Sequence, residues 1–348
     1  MSIVILSLPP VKRQTEIRPR QCPHCHGETF QRWGRVRKPV RDNRFRSVQV
    51  YRYRCCHCRH TFRHYPEGVD TADQTQRLRK LITLYWLMGM SLRSVVMALT
   101  PFGITLSHMT VWRDLQEQAE LLKKRRRWKG VRVLGIDGAY PLLKGKKPPV
   151  LIAIDLGNGK PVAIGQVDEA NPHAVRRFLE PLVKDLGVSV IVTDDLASFR
   201  QVAEKLEVEH QVCQFHVRRW VGRALRRLRD TLPEEWLWVL AEVETLMAEL
   251  PVDGSRRLFE LWKQTPERRR GQSGSLSPLS QLRDLLLRLS DHWESYRVFD
   301  WQTDVPWTNN GTEQAIGRMK MRSRTVRGYK SWQGMQAALL LSGTGIGY

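Results

Sequence analysis

Between Val131 and Cys213, short apolar runs and helical periodicity follow one another in a fixed order. That order restricts the fold more than any other feature of the chain. Val131–Ile136, Val150–Ile154 and Pro161–Val167 are rich in β-branched residues and bounded by turn residues, so they read as strands. Gly157-Asn158-Gly159 turns the second into the third, which predicts an antiparallel meander. His173–Leu186 then sets Val175, Phe178, Leu179, Leu182 and Val183 on one helical face. Val188–Val192 predicts a fourth strand, Leu196–Leu206 a second helix, and His210–Cys213 a short fifth strand.

Three strands, then helix, strand, helix, strand, is the order of a ribonuclease-H-like α/β core. In that fold the first and fourth strands are neighbours. Asp137 follows the first strand and Asp194 the fourth, so the two carboxylates would lie side by side. Glu313 stands far downstream, where Thr308-Asn309-Asn310-Gly311-Thr312-Glu313 opens a helical pattern. Carboxylates converging in this way can hold two Mg²⁺ ions about 3.5–4 Å apart, the spacing used for in-line attack on phosphodiesters. Hard oxygen ligands with open water positions suit Mg²⁺. A lone Asp at a strand end usually serves the fold, so the argument rests on all three positions fitting one architecture. Asp155 also ends an apolar run, but the glycine turn behind it gives it a turn role. Of Asp194 and Asp195, strand alternation lets only one point inward, and Asp194 follows the strand directly. Asp300 and Asp304 read as loop or capping residues.

The flanks carry different chemistry. With 57 Lys and Arg against 35 Asp and Glu, the formal net charge is +22. A balance that basic points to a polyanionic partner, because Lys and Arg neutralise phosphates and release counterions. Four of the six cysteines form two pairs, Cys22-Pro23-His24-Cys25 and Cys55-Cys56-His57-Cys58. Four thiolates so spaced suit a closed tetrahedral Zn²⁺ site, although the spacer exceeds the usual ~15–20 residues. Cys56, His24, His26, His57 and His60 are alternative ligands. Residues 1–70 are therefore expected to form a zinc-ribbon-like head. Residues 71–127 are expected to hold a helix-turn-helix, with Ser91 and Ser107 as N-caps around a Pro101-Phe102-Gly103 turn. Its second helix would bury Val111, Trp112 and Leu115 and offer His108, Thr110 and Arg113 to a major groove. An ordinary helical hairpin is the alternative.

Lys123–Arg127 reads as a basic linker. The catalytic core is expected in 128–216 and 300–348, interrupted by a helical insertion over 217–299 whose apolar residues recur at a period near 3.6. Cys213-Gln214-Phe215-His216 follows the fifth strand and opens a helix; by itself it reads as a buried Cys and a satisfied His. Arg318, Lys320, Arg322, Arg324, Arg327 and Lys330 follow Glu313 and either track a DNA backbone or form a solvated helix face. No run approaches the ~20 apolar residues of a membrane span. The start, Met1–Pro10, lacks the basic segment of a signal peptide. A cytoplasmic, nucleoid-associated protein is expected.

Taken together, these segments resemble bacterial insertion-sequence transposases of the DDE class, particularly those related to the mutator-like group. The resemblance covers most of the chain. Ile136-Asp137-Gly138-Ala139-Tyr140 resembles the first-aspartate motif of that family, and Thr193-Asp194-Asp195 with Ser198-Phe199 its second. Cys213-Gln214-Phe215-His216 resembles the C-x-x-H of mutator-like relatives, implying an accessory role around the DNA end. Thr308–Glu313, followed by Arg318 and Lys320, resembles the glutamate motif. The resemblance implies recognition of terminal inverted repeats in double-stranded DNA, Mg²⁺-dependent cleavage, and strand transfer by a 3′-hydroxyl. A homodimer or higher oligomer follows from the need to bring two element ends together. A DNA-binding regulator without catalysis and a structure-specific nuclease of the same fold are the competing expectations.

Overall fold

The computed structural model describes residues 8–14, 18–125, 130–266, 276–326 and 328–345. The chain separates into two compact units. One comprises Met1–Arg127, Leu142–Gly145 and Arg318–Tyr348; the other comprises Trp128–Pro141 and Lys146–Gly317.

In the first unit, β1 (Phe30–Pro39), β2 (Ser47–Cys55) and β3 (Thr61–His64) form a three-stranded antiparallel sheet in sequence order. The β1–β2 hairpin accounts for the long spacer between the cysteine pairs. Pairing slips between Arg32 and Gly34, and Gly34 takes a φ of 126° to absorb the bulge. Val48 and Val50 face one way, as β alternation requires, and bury with Val40 and Val69. Three helices follow: α1 (Gln76–Leu87), α2 (Leu92–Leu99) and α3 (His108–Arg125). The Ser91 hydroxyl accepts from the Ser94 N–H and that of Ser107 from the Thr110 N–H, both at 3.0 Å, so each serine caps where expected. Asp42 is buried beside α1. It accepts from the Arg77 guanidinium at 2.5 Å and from the Thr75 hydroxyl at 2.6 Å. The Arg77 pairing and further hydrogen bonds outweigh burial and hold its carboxyl below the usual range. α3 runs on through Gln116–Leu122, a stretch of strong helix formers without Gly or Pro. The expected linker thus begins inside α3; Arg126 and Arg127 lie outside the described residues.

In the second unit, β4 (Val133–Ala139), β5 (Val150–Asp155), β6 (Lys160–Gly165), β7 (Val190–Thr193) and β8 (Glu209–Val212) form one sheet in the order β6-β5-β4-β7-β8. The first three are antiparallel; β7 lies parallel to β4, and β8 to β7. This is the expected ribonuclease-H-like order, with first and fourth strands adjacent. Helices α4 (Pro172–Leu186) and α5 (Ala197–Leu206) cover one face, burying Val175, Leu179 and Phe199 against Leu134, Ile136 and Ile191. β4 starts two residues later than expected and runs on through Asp137, because β5 pairs with it as far as Ala139.

The expected insertion is helical: α6 (Gln214–Arg229), α7 (Leu237–Glu249), α8 (Gly254–Gln264) and α9 (Pro278–Asp291). Of the expected Gly271–Pro278 break, residues 271–275 lie outside the described residues. The helices enclose a second apolar core around Trp293, whose Nε1 donates to the Pro251 carbonyl at 2.9 Å. The indole lies directly on Gly254, where a Cβ would overlap it. Two last helices complete the chain, α10 (Asn310–Thr325) and α11 (Trp332–Thr344). Residues 318–348 group with the first unit rather than the core. The reason is apolar: α11 packs on α3, with Gly334 under the Trp112 ring, which leaves Trp112 half-buried rather than buried. Among the described residues, no helix is long and apolar enough to cross a membrane.

Candidate active site

The parallel pairing of β4 and β7 sets Val133 opposite Val190 and Gly135 opposite Val192. Carrying that register on by two residues sets Asp137 opposite Asp194. Alternation then decides the face. Val133, Val190 and Val192 bury against Val298 and Val305, so Asp137 and Asp194 lie on the side covered by the segment that leads into α10. Gly135 makes that approach possible: a Cβ there would collide with Thr312 Oγ1 and Asn309 Oδ1. Asn309 Nδ2 donates to the Ile136 carbonyl at 3.0 Å, and its backbone N–H points at Cys213 Sγ at 3.2 Å. These contacts fix the start of α10, whose first turn carries Glu313.

Asp194 and Asp195 have opposite fates. The Asp195 side chain is buried and ion-paired with both Arg200 and Arg288. One oxygen of Asp194 is buried with no hydrogen-bond partner among the described residues. Burial, followed by the negative charges of Glu169 and Asp137, pushes the Asp194 carboxyl up to about 6. Glu169 is a fourth acid that the sequence pattern does not single out. It sits in a loop before α4, where an acidic residue reads as ordinary, and only the fold brings it to the strand ends. Tyr140 donates to Glu169 Oε1 at 3.0 Å, and Ser198 to the Glu169 carbonyl. The Glu169 carboxylate rests on Gly138, where any Cβ would collide with it. Asp137 Oδ1 accepts the Gly138 N–H at 2.7 Å.

Cys213 and His216 are closer to Glu313 than a peripheral role requires. The Cys213 sulfur, a His216 ring nitrogen and a Glu313 carboxylate oxygen all lie within 4.8 Å of one another. Nε2 of His216 is 3.8 Å from Glu313 Oε1. Burial raises the Cys213 thiol, but hydrogen bonds from His216 and the Asn309 N–H outweigh it and bring the thiol below its usual value. His216 is raised, first by that same bond to Cys213 and, among other charges, by Glu313 and Asp194. Beside them a groove of about 300 Å³ is lined by Asp194, His216, Arg219, Trp220 and Arg223. Phe215 and Trp307 stand exposed nearby, with Arg218 over the Trp307 ring. The sequence reading passes over these arginines because a basic helix face is usually solvated.

In the other unit, Cys22, Cys25, Cys55 and Cys58 cluster with their sulfurs within 4.8 Å of one another, an arrangement compatible with zinc. Backbone N–H groups of Cys58 and His57 draw the Cys55 thiol down to about 6. Cys56 is exposed and outside the cluster, and His24 stacks on His60 instead. His108 and Arg113 are exposed on α3 and Thr110 is half-buried. The basic residues of α10 do not form one stripe. Positions two apart fall on opposite sides of a helix, so Lys320 is exposed while Arg318 donates to the Gly343 carbonyl at 2.6 Å. Arg322 is buried over the Trp86 ring and donates to the Met90 carbonyl at 2.9 Å. Burial lowers its pKa to about 10. Its guanidinium is engaged inside the unit, which corrects the expectation of a phosphate contact.

Residues 172–337 match the Transposase IS66 family. That span takes in Asp194, Cys213, His216 and Glu313 and begins after Asp137. A 48.3 kDa uncharacterized protein of insertion element ISM1 from Methanobrevibacter smithii is 22% identical over 213 residues, covering 59% of this chain and 53% of that protein. The chain thus spans about half the length of the curated relative it matches. Both likenesses are to insertion-sequence proteins, and neither is specific to the mutator-like group. Among solved structures, the chain is similar to the catalytic core of BIV integrase (15% identity, 47% of this chain and 99% of that one, TM-score 0.21). It is also similar to a chain of the simian T-cell lymphotropic virus intasome in complex with PP2A regulatory subunit B56 gamma (11% identity, 66% and 72%, TM-score 0.21). At that TM-score the likeness adds nothing to the strand order, which carries the fold assignment by itself.

Proposed function

We propose that this protein is an insertion-sequence DNA transposase of the DDE type, a polynucleotidyl transferase that cleaves element ends and joins them to target DNA. The observation that supports the reading is the β4–β7 register, which, carried on by two residues, would set Asp137 beside Asp194, with Glu313 on the first turn of α10. Asp137, Asp194 and Glu313 would hold two Mg²⁺ ions, with Glu169 beside them. The donor set fits a hard dication: it is all carboxylate, and Asp194 keeps a buried oxygen with no hydrogen-bond partner among the described residues. When bound, such ions supply activation of the attacking oxygen and charge stabilisation of the leaving one. The remaining work falls to the chain. Asn309 and Thr312 hold the start of α10 on Gly135, Tyr140 orients Glu169, and Arg219 and Arg223 offer positive charge to a phosphate backbone beside Asp194.

The head cysteines would hold a structural Zn²⁺. In the same reading, α2 and α3 form a helix-turn-helix that offers His108, Thr110 and Arg113 to the terminal inverted repeats, and Lys320 adds a backbone contact. A homodimer or larger assembly would pair two ends. A mutator-like affinity remains the finer version of this reading, supported by Cys213 and His216.

A joining assay tests it. Purified protein with Mg²⁺ meets a labelled duplex carrying a gene-flanking end, alongside Asp137→Asn, Asp194→Asn and Glu313→Gln. Strand transfer by the wild type, lost in all three variants, is the expected result. Tight specific binding without cutting would favour a DNA-binding regulator, and a preference for branched or hybrid substrates would favour a structure-specific nuclease.

A further inference from the structure

We propose that Cys213, His216 and Glu313 form a second transition-metal site, suited to Zn²⁺ and separate from the cysteine cluster of the head. Cys213 and His216 are three residues apart at the first turn of α6, a separation that puts both side chains on one face. Glu313 comes from the first turn of α10 and meets them there. The three ligand atoms lie within 4.8 Å of one another. Tetrahedral coordination at Zn–S of about 2.3 Å and Zn–N or Zn–O of about 2.0–2.2 Å needs ligand–ligand distances of about 3.3–3.8 Å. Nε2 of His216 and Oε1 of Glu313 stand 3.8 Å apart, within about half an ångström of the roughly 3.3–3.6 Å that an N–Zn–O pair requires, so small side-chain rotations would close the site.

Ligand chemistry selects the metal. Thiolate with imidazole is a soft-to-borderline pair that favours Zn²⁺ and discriminates against Mg²⁺. Three protein ligands leave one coordination position open. The surroundings match a ligand shell. Cys213 is fully buried, and the Asn309 N–H aimed at its sulfur is the kind of outer contact that orients a metal-bound thiolate. A metal here would hold the Glu313 carboxylate by one of its two oxygens. The claim goes beyond strand transfer and does not depend on it, because metal content reads it directly.

The test uses the full chain, gel-filtered in buffer without added metal, with zinc per chain measured by mass spectrometry. Titration of metal-depleted protein with Co²⁺ then gives the thiolate-to-metal absorption band. Cys213→Ser and His216→Gln are each expected to carry about one zinc fewer per chain than wild type. Each should lose the part of the cobalt spectrum that survives in Cys22→Ser. Circular dichroism checks folding; if Cys213→Ser unfolds, the half-exposed His216 and Glu313→Gln give the same readout. Equal zinc content and unchanged cobalt spectra in wild type, His216→Gln and Glu313→Gln would overturn the proposal. They would leave Cys213 and His216 as a hydrogen-bonded pair, whatever the joining assay shows.

Discussion

Replacing Asp194 by Asn should stabilise the folded chain above about pH 6, and the same change at the next residue should destabilise it. The Asp194 carboxyl stands at about 6, against an ordinary value of 3.8. That difference of about two pH units, at about 1.4 kcal/mol each, sets an upper bound of about 3 kcal/mol on the cost of holding the charge there. Partial solvent access makes about 1–2 kcal/mol the practical expectation. The sign follows from proton binding. The folded state holds its proton more tightly than the unfolded chain, so this group's contribution is fully present below about pH 4. It is lost as pH rises towards 6 and stays lost above. Asn keeps the neutral shape, so its advantage is near zero at pH 4 and full at pH 8. Asp195→Asn instead strips the counter-charge from Arg200 and Arg288. Breaking a buried pair costs about 3–5 kcal/mol; because Arg288 is 46% exposed, about 2–3 kcal/mol is expected here. The assay is urea unfolding followed by tryptophan fluorescence at pH 4.5 and pH 8, without added divalent ions. A destabilised Asp194→Asn at pH 8, or a gain of equal size at both pH values, would refute the assignment of Asp194 as the strained acid.

Four further outcomes are expected. Asp42→Asn should cost about 3 kcal/mol, read as a lower denaturation midpoint, since it leaves Arg77 buried without its counter-charge; as pH falls through the Asp42 carboxyl's lowered range, wild type should lose the same increment. His210 is buried against the Thr193 hydroxyl and its pKa is pushed down to about 3 by burial and then by Arg200. The unfolded chain therefore binds the extra proton between about pH 6.5 and 3, and His210→Gln should flatten the fall in stability across that window. Gly138→Ala should leave the melting temperature within a few degrees, because the Glu169 carboxylate can swing aside, yet reduce strand transfer by an order of magnitude or more. Gly254→Ala should do the reverse, lowering stability by about 1–3 kcal/mol through overlap with the Trp293 indole, with little change in DNA binding.

The core was readable from the sequence where the side-chain pattern repeats. β-branched runs and one-sided helices gave the order of elements, and the position of Asp194 directly after its strand made it the candidate, whereas the pairing of Asp195 with Arg200 and Arg288 has no trace in the sequence pattern. Asp155 serves the turn as expected, accepting the Gly157 N–H at 2.8 Å. What the pattern lacks is information about contacts across long sequence separations. Glu169 joins the site only because the loop before α4 returns to β4. Arg322 looked like one of a basic series until the pitch of α10 turned it inward onto Trp86. The partition of residues 318–348 was likewise hidden, because α11 has no clear polar face and its sequence does not say which surface it covers.

The helical block between β8 and α10 leaves and re-enters the sheet at nearly one point. The Gln214 N–H donates to the Trp307 carbonyl at 2.9 Å, and the Asn309 N–H to Cys213 Sγ at 3.2 Å. An excursion whose ends are clamped so closely is a closed loop, and the entropy of closing a loop grows only with the logarithm of its length. The clamp fixes where the block leaves and returns, while Arg288 of α9 and His216 of α6 still reach Asp195 and Glu313 from within it. The closure term itself would change little with the length of the block, whereas the apolar core around Trp293 ties its present helices together. The clamp would behave as a socket that fixes where a block of any length joins the sheet.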